Sequence, residues 1–339
     1  MKLKVQAPTR IDLAGATLDI HPLYIFEGGG LTLNAAVNLF SEVELESHPE
    51  GKFRLESLDQ GVSQTADSIG QLEVEGENSK LALLVNILRF YRPQGGIIVR
   101  TRNYAPSGAG LGGSSSLLIS LSTALVQWGN LPISKTQIID FGAEIEAQTI
   151  GIPTGKQDYY PAAFGGISAL WFSVGGTRRE PLPLSKEFTG RLQQRLILGY
   201  SGASRFSGAS NWSVLKKYVE GCGDTRIHMK SIKKTAEQLR RCLLEEDFSG
   251  LADCLRQEWG NRRKLAPEVS TQRLEAIFQA ARQAGAEASK VCGAGGGGCF
   301  ITLVGEGRRA KVEQAIAAQG GQVLEYRFTA SGVRVTEQS

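Results

Sequence analysis

The segment Pro106-Ser107-Gly108-Ala109-Gly110-Leu111-Gly112-Gly113-Ser114-Ser115-Ser116 constrains this chain more than any other. It joins a strand-like run at 96–101 to an apolar helical pattern at 117–128. Strand, glycine loop and helix start form a layout that binds phosphate. Glycines let backbone N–H groups approach an anion, and the first turn of the helix adds unpaired donors and the positive end of its dipole. The three serines offer helix caps, or hydroxyls for phosphate or a metal ion. The loop has no lysine of the G-x-x-x-x-G-K-[ST] type, so a nucleotide bound here would belong to a different class of site.

The length of 339 residues suggests two domains, placed at 1–185 and 186–339 with a boundary where apolar periodicity lapses. The 38 basic and 34 acidic residues leave a net charge of +4, which gives no case for a nucleic-acid surface. No apolar run approaches the ~18 residues of a membrane span. Five cysteines without a C-x-x-C pair suggest a reduced, cytoplasmic chain, expected as a monomer or homodimer. The 41 glycines cluster at 28–30, 108–113, 165–166 and 293–298, as built loops do.

Periodicity predicts strands at 2–7, 32–46, 53–58, 96–101, 166–174, 195–200, 287–292, 299–304 and 322–328. Helices are expected at 81–91, 117–128, 134–149, 209–219, 226–246, 248–264, 271–284 and 307–319, with Ser134 a cap and Gly285 a stop. A final extended segment covers 332–336. The alternation predicts an α+β fold.

Three further segments carry chemistry. Cys292-Gly-Ala-Gly-Gly-Gly-Gly-Cys299 lies between two apolar strands. It is a hairpin turn or a place where a ligand or another segment comes close. Glu146 ends a helix, and Asp158 follows the turn Gly151-Ile-Pro-Thr-Gly155. Two such acids beside phosphates would hold Mg²⁺ and orient a hydroxyl, although either alone reads as a solvated residue. Lys156 is a candidate cation or an exposed turn lysine. Near the N-terminus, Pro8 is expected to break the strand before a polar loop with Arg10, Asp12 and Asp19. Arg10 suits a phosphate or a carboxylate, and Asp19 a polyol. Ser204-Arg205 suits a substrate phosphate or a bare surface loop.

In this order the segments resemble the GHMP kinases, the family of galactokinase, homoserine kinase, mevalonate kinase and phosphomevalonate kinase. The loop at 106–115 matches the family's P-x-x-x-G-L-G-S-S with Gly113 in the first serine position, and 290–300 matches its C-terminal glycine motif. Gly155-Lys-Gln-Asp-Tyr159, Tyr200-Ser-Gly-Ala-Ser-Arg205 and the glycines to Gly298 are most similar to the sugar-kinase branch of heptose 7-phosphate kinases and fucokinases. The chain departs from that branch at Gly15-Ala-Thr-Leu-Asp19 and at Tyr159-Tyr160, both expected beside the sugar pocket. The resemblance implies an N-terminal domain like domain 2 of ribosomal protein S5 and a C-terminal ferredoxin-like domain. It implies ATP phosphates on the loop 106–116, and Mg²⁺ near Ser115 and Glu146. Asp158 would be the catalytic aspartate beside Arg10. Asp19 would contact a sugar or sugar-phosphate acceptor, and the loop carrying Gly295 and Gly296 would support the phosphate loop and that acceptor, while Arg205 is a candidate for the acceptor's phosphate on its own sequence reading. The alternatives are another small alcohol such as mevalonate or phosphomevalonate, or a silent ligand-binding regulator on the same fold.

Overall fold

The computed structural model describes residues 2–202 and 207–338. The N-terminal half builds one eight-stranded sheet from β1 (Lys2–Ala14), β2 (Gly30–Ser47), β3 (Phe53–Ser57), β4 (Val62–Ala66), β5 (Ile97–Asn103), β6 (Ile167–Ser173), β7 (Gly176–Pro181) and a late strand at Arg334–Gln338. The long β2 pairs with β1 along its length. Its first half also pairs with β6 and its second half with β5. The late strand returns to pair with β1, so the two ends of the chain meet in one sheet.

Pro8 does not end the first strand. β1 runs through it because the register shifts between Pro8 and Thr9, and a bulge tolerates a residue with no N–H to donate. Arg10 and Asp12 therefore lie on a buried strand rather than in a polar loop, at 3% and 0% exposure.

Helices Ala82–Tyr91, Gly113–Trp128, Lys135–Ile150 and Tyr159–Phe164 cover one face of this sheet. Their apolar sides enclose a core with Leu3, Val43, Leu88, Leu121 and Ile139. Ser134 and Gln137 form the capping box of the third of these helices. In the helix Gly113–Trp128, Ser116 Oγ donates to the Ala7 carbonyl at 2.8 Å, and Ser120 Oγ to the Ser41 carbonyl at 3.0 Å. These bonds tie the helix to β1 and β2.

The second half contains a four-stranded sheet of β8 (Leu196–Tyr200), β9 (Ala286–Val291), β10 (Cys299–Val304) and β11 (Gln322–Leu324), ordered β11-β8-β10-β9. With the helices Gln272–Ala284 and Arg309–Ala318 this is the split β-α-β-β-α-β arrangement. The helix at 272–284 stops at Gly285 in the left-handed conformation, as its sequence predicts. The polar stretch after Gly176 contains β7 and a helix, Lys186–Arg195, that periodicity had not marked. A second core joins the halves. Ile11, Leu33 and Ala169 from the first sheet pack with Leu239, Leu251 and Ile301 from the second half, which fixes the cleft between the halves.

Candidate active site

The loop after β5 turns sharply before the helix Gly113–Trp128. Gly112 caps that helix in the left-handed conformation, and no side chain caps it among the described residues. The first N–H groups of the helix thus remain unclaimed by side chains, in a cleft lined by Gly108 to Ser115. The serines do not cap. Ser115 Oγ instead donates to Glu146 Oε2 at 2.9 Å. A Cβ on Gly112 would come within 3.0 Å of the Asp158 side chain, so glycine here lets the carboxylate sit against the loop.

Asp158 is held from β1. Arg10 Nε donates to its Oδ1 at 2.8 Å, and Arg10 Nη2 reaches the same oxygen at 2.7 Å. The remaining guanidinium nitrogen, Nη1, donates to the Gly110 carbonyl at 2.5 Å. One arginine therefore fixes both the carboxylate and the phosphate loop. No hydrogen bond among the described residues reaches Asp158 Oδ2, which lies on the Gly112 side. Burial raises the Asp158 pKa above the ordinary range, and the Arg10 charge opposes that rise.

Glu146 is buried at 7% exposure. Tyr159 Oη also donates to its Oε2. Burial raises the Glu146 pKa. Burial, with the Glu146 charge, pushes the Tyr159 phenol well up, so Tyr159 stays a donor. Tyr159, expected beside the sugar pocket, is fully buried and supports Glu146.

Asp19 accepts from the Gln157 backbone N–H at 3.0 Å. A Cβ on Gly155 would lie 1.9 Å from Asp19 Oδ2, so glycine is required for this approach. Burial, and then the Asp158 charge, raise the Asp19 pKa to about 6. An acid whose folded pKa exceeds its unfolded value binds more protons when folded. Its contribution to stability falls as pH rises from about 4 to about 6. Asp19→Asn is therefore expected to melt higher than the parent at pH 7–8, by about 1–3 kcal/mol of stability. The gain should vanish near pH 4, while acceptor turnover falls. Thermal melts across pH test this, and an equal gain at every pH would contradict it.

The second glycine loop reaches the same cleft through Gly293 and Ala294. The Cys299 N–H donates to the Ala109 carbonyl at 2.6 Å, which joins the two glycine loops. Gly295 and Gly296 pack on Val269 rather than lining the cleft. Lys156 also lies outside the lining residues, with its ammonium 3.1 Å from Asp140. Ser204 and Arg205 fall outside the described residues.

Two buried ion pairs escaped sequence reading. Lys290 Nζ donates to Asp12 Oδ2 at 2.7 Å and to the Asp12 carbonyl at 2.9 Å, with both side chains fully buried. Arg262 pairs with Glu258 at 2.8 Å and donates to the Ala16 carbonyl at 2.7 Å and the Gly293 carbonyl at 3.4 Å. Arg262 thus ties the Asp19 segment to the second glycine loop. The available signal was a lysine in phase with Ala286 and Ala288 along β9.

No group of three or more His, Cys, Asp or Glu side chains suited to a metal ion occurs among the described residues. No helix among them is long and apolar enough to cross a membrane.

Known proteins match this chain in sequence and in fold. The family model for the GHMP kinases N terminal domain matches residues 80–166, and that for the GHMP kinases C terminal matches residues 236–322. The chain is 30% identical to the D-glycero-alpha-D-manno-heptose 7-phosphate kinase of Campylobacter jejuni, covering 98% of each chain. It is 26% identical to the mevalonate kinase of Thermococcus sibiricus, covering 99% of each. A solved D-glycero-D-manno-heptose 1-phosphate kinase from Bacteriodes thetaiotaomicron superposes with a TM-score of 0.80 at 28% identity, covering 99% of each chain. Matched in both halves and over nearly its whole length, on a fold it shares with a heptose phosphate kinase, the chain belongs to the GHMP kinases and is an ATP-dependent kinase.

Proposed function

We propose that the chain transfers the γ-phosphoryl group of ATP to a hydroxyl of a sugar phosphate resembling a heptose 7-phosphate. The observation that carries this reading is Asp158, whose Oδ1 is taken by Arg10 and whose Oδ2 is left open beside the phosphate loop. That oxygen suits the role of accepting, or orienting, the proton of an attacking hydroxyl. The loop N–H groups and the uncapped helix start bind the phosphates, and Arg10 holds loop and carboxylate in mutual register.

The donor set also suits Mg²⁺. Ser115 Oγ and Glu146 Oε2 lie together at the phosphate loop, and Glu146 has no cationic partner among the described residues. A hard cation bound through one carboxylate and the substrate phosphates fits this pair. When bound, it would neutralise charge on the β- and γ-phosphates.

Asp19 and Asp158 both line the cleft. Two carboxylates accept hydrogen bonds from hydroxyls, so they favour a hydroxyl-rich acceptor over one with a single further hydroxyl, such as mevalonate. We assign recognition of the acceptor's existing phosphate to Arg205, on its place in the sequence motif.

ADP formation tests the reading with ATP, Mg²⁺ and three acceptors: D-glycero-D-manno-heptose 7-phosphate, the unphosphorylated heptose and mevalonate. The heptose phosphate is expected to exceed mevalonate in kcat/KM by about a hundredfold or more. Arg205→Ala should erase the preference for the phosphorylated heptose. A preference for mevalonate would overturn the reading.

A further inference from the structure

The turn that carries Asp19 is strained at one residue. Thr17 has a φ of 77°, in the left-handed region that β-branched side chains rarely adopt. The other non-glycine residues with positive φ among the described residues are Arg92, Asn130 and Glu246. All three are exposed and sit at or just past the ends of helices, where that conformation is ordinary. Thr17 is instead 4% exposed and lines the cleft, two residues before Asp19. Such a conformation is unfavourable and persists only where the surrounding structure imposes it.

What imposes it comes from the second half of the chain. Arg262 Nη2 donates to the Ala16 carbonyl at 2.7 Å, and its Nη1 to Thr17 Oγ1 at 3.4 Å. These two atoms lie on either side of the N–Cα bond of Thr17, so one guanidinium grips both ends of the rotation that φ measures. Glu258, one helical turn before Arg262, accepts from Arg262 Nε at 3.1 Å and from the Gly15 N–H at 3.3 Å. Both side chains are buried, at 1% and 0% exposure. Desolvation offsets much of the attraction in such a pair, so its main contribution is the direction it gives to residues 15–17. Arg262 is not among the residues that line the cleft, so it acts through the backbone and not by touching the acceptor.

We propose that Arg262 is a positioning residue for the acceptor: with Glu258 it holds Thr17 in its strained conformation and thereby sets the Asp19 carboxylate in the cleft. This rests on the reading above in which Asp19 belongs to the acceptor end. Thr17 lies inside a turn closed by the Leu18 N–H on the Gly15 carbonyl at 3.1 Å. Relaxation of Thr17 to a negative φ would open that turn and swing Asp19 away from the Gln157 N–H that holds it.

The test is steady-state kinetics of the full chain with ATP, Mg²⁺ and D-glycero-D-manno-heptose 7-phosphate. Arg262→Lys keeps a charge opposite Glu258 but loses the fork that spans Ala16 and Thr17. It is expected to lose about tenfold in kcat/KM for the heptose phosphate, while KM for ATP stays within about twofold. Thr17→Gly removes the strain, because glycine takes a positive φ freely. In the Thr17→Gly background, Arg262→Lys should therefore cost no more than about threefold, a coupling that a double-mutant cycle reads directly. A merely structural arginine would give the same loss in both backgrounds, or would lower the ATP and acceptor parameters together. Glu258→Gln keeps an oxygen for Gly15 but removes the charge that orients the guanidinium. It serves if the lysine variant does not fold, and the same loss and the same rescue are expected of it. With the parent active, an equal loss in both backgrounds overturns this inference alone, as does a folded variant with the parent's acceptor kinetics. No turnover of the heptose phosphate by the parent overturns the functional reading, and this inference with it.

Discussion

Replacing Asp158 with asparagine is expected to lower kcat by about a thousandfold, within the range for removing a proton acceptor from a reacting group, while ATP still binds. The amide keeps nearly the size of the carboxylate, and its oxygen can still accept from Arg10 at the Oδ1 position. It cannot take a proton at the position of Oδ2, the oxygen left open beside Gly112. It also removes a negative charge from a cleft that binds polyphosphate, so ATP affinity should hold or rise. In the parent, activity should fall with decreasing pH as Asp158 protonates. Because burial raises its pKa against the pull of Arg10, that acid limb should lie above the ordinary aspartate range. Rapid-quench turnover and nucleotide titration of the Asn variant separate chemistry from binding. Turnover near that of the parent would remove Asp158 from the chemistry.

The phosphate loop and its helix were legible because they are local. Glycines, serines and an apolar repeat at 106–128 constrain one another within a few residues. Glu146 and Asp158 were legible as a pair for the same reason, and the structure brings both into the loop's cleft. The misplacement of Arg10 and Asp12 has a different origin. Proline normally ends a strand, and a bulge that accommodates it is set by the pairing partner, not by the local sequence. Tyr159 was misread because its partner is a buried carboxylate one helix turn and a loop away. The buried ion pairs were the least legible. Lys290 and Asp12 are separated by 278 positions, and a lone lysine in a strand ordinarily faces water.

Lys290→Met is expected to destabilise the protein by about 3–5 kcal/mol, the usual result of stripping one partner from a fully buried ion pair. The methionine fills the aliphatic space, so the loss is electrostatic rather than a cavity. It leaves the Asp12 carboxylate at 0% exposure with its Oδ1 already unpartnered. In the parent, the Lys290 charge leads Arg262 and Arg10 in holding the Asp12 pKa down against burial. A depressed folded pKa gives stability that is present above the unfolded value and lost as pH falls through the folded one. Without Lys290 the Asp12 pKa should rise, and the variant's deficit should be largest at neutral pH and shrink toward pH 4. The double variant Asp12→Leu/Lys290→Met should recover most of the loss, because a well-packed apolar pair replaces buried charges at little cost. Activity should not recover with it. Asp12 sits two residues from Arg10 on β1, and Lys290 two residues before the second glycine loop, so the pair pins together the strand that holds Asp158 and the loop that closes the cleft. Chemical denaturation of the single and double variants, with ADP formation measured on each, separates these roles. A single variant within about 1 kcal/mol of the parent would show that Arg262 and Arg10 alone suffice to hold the Asp12 charge.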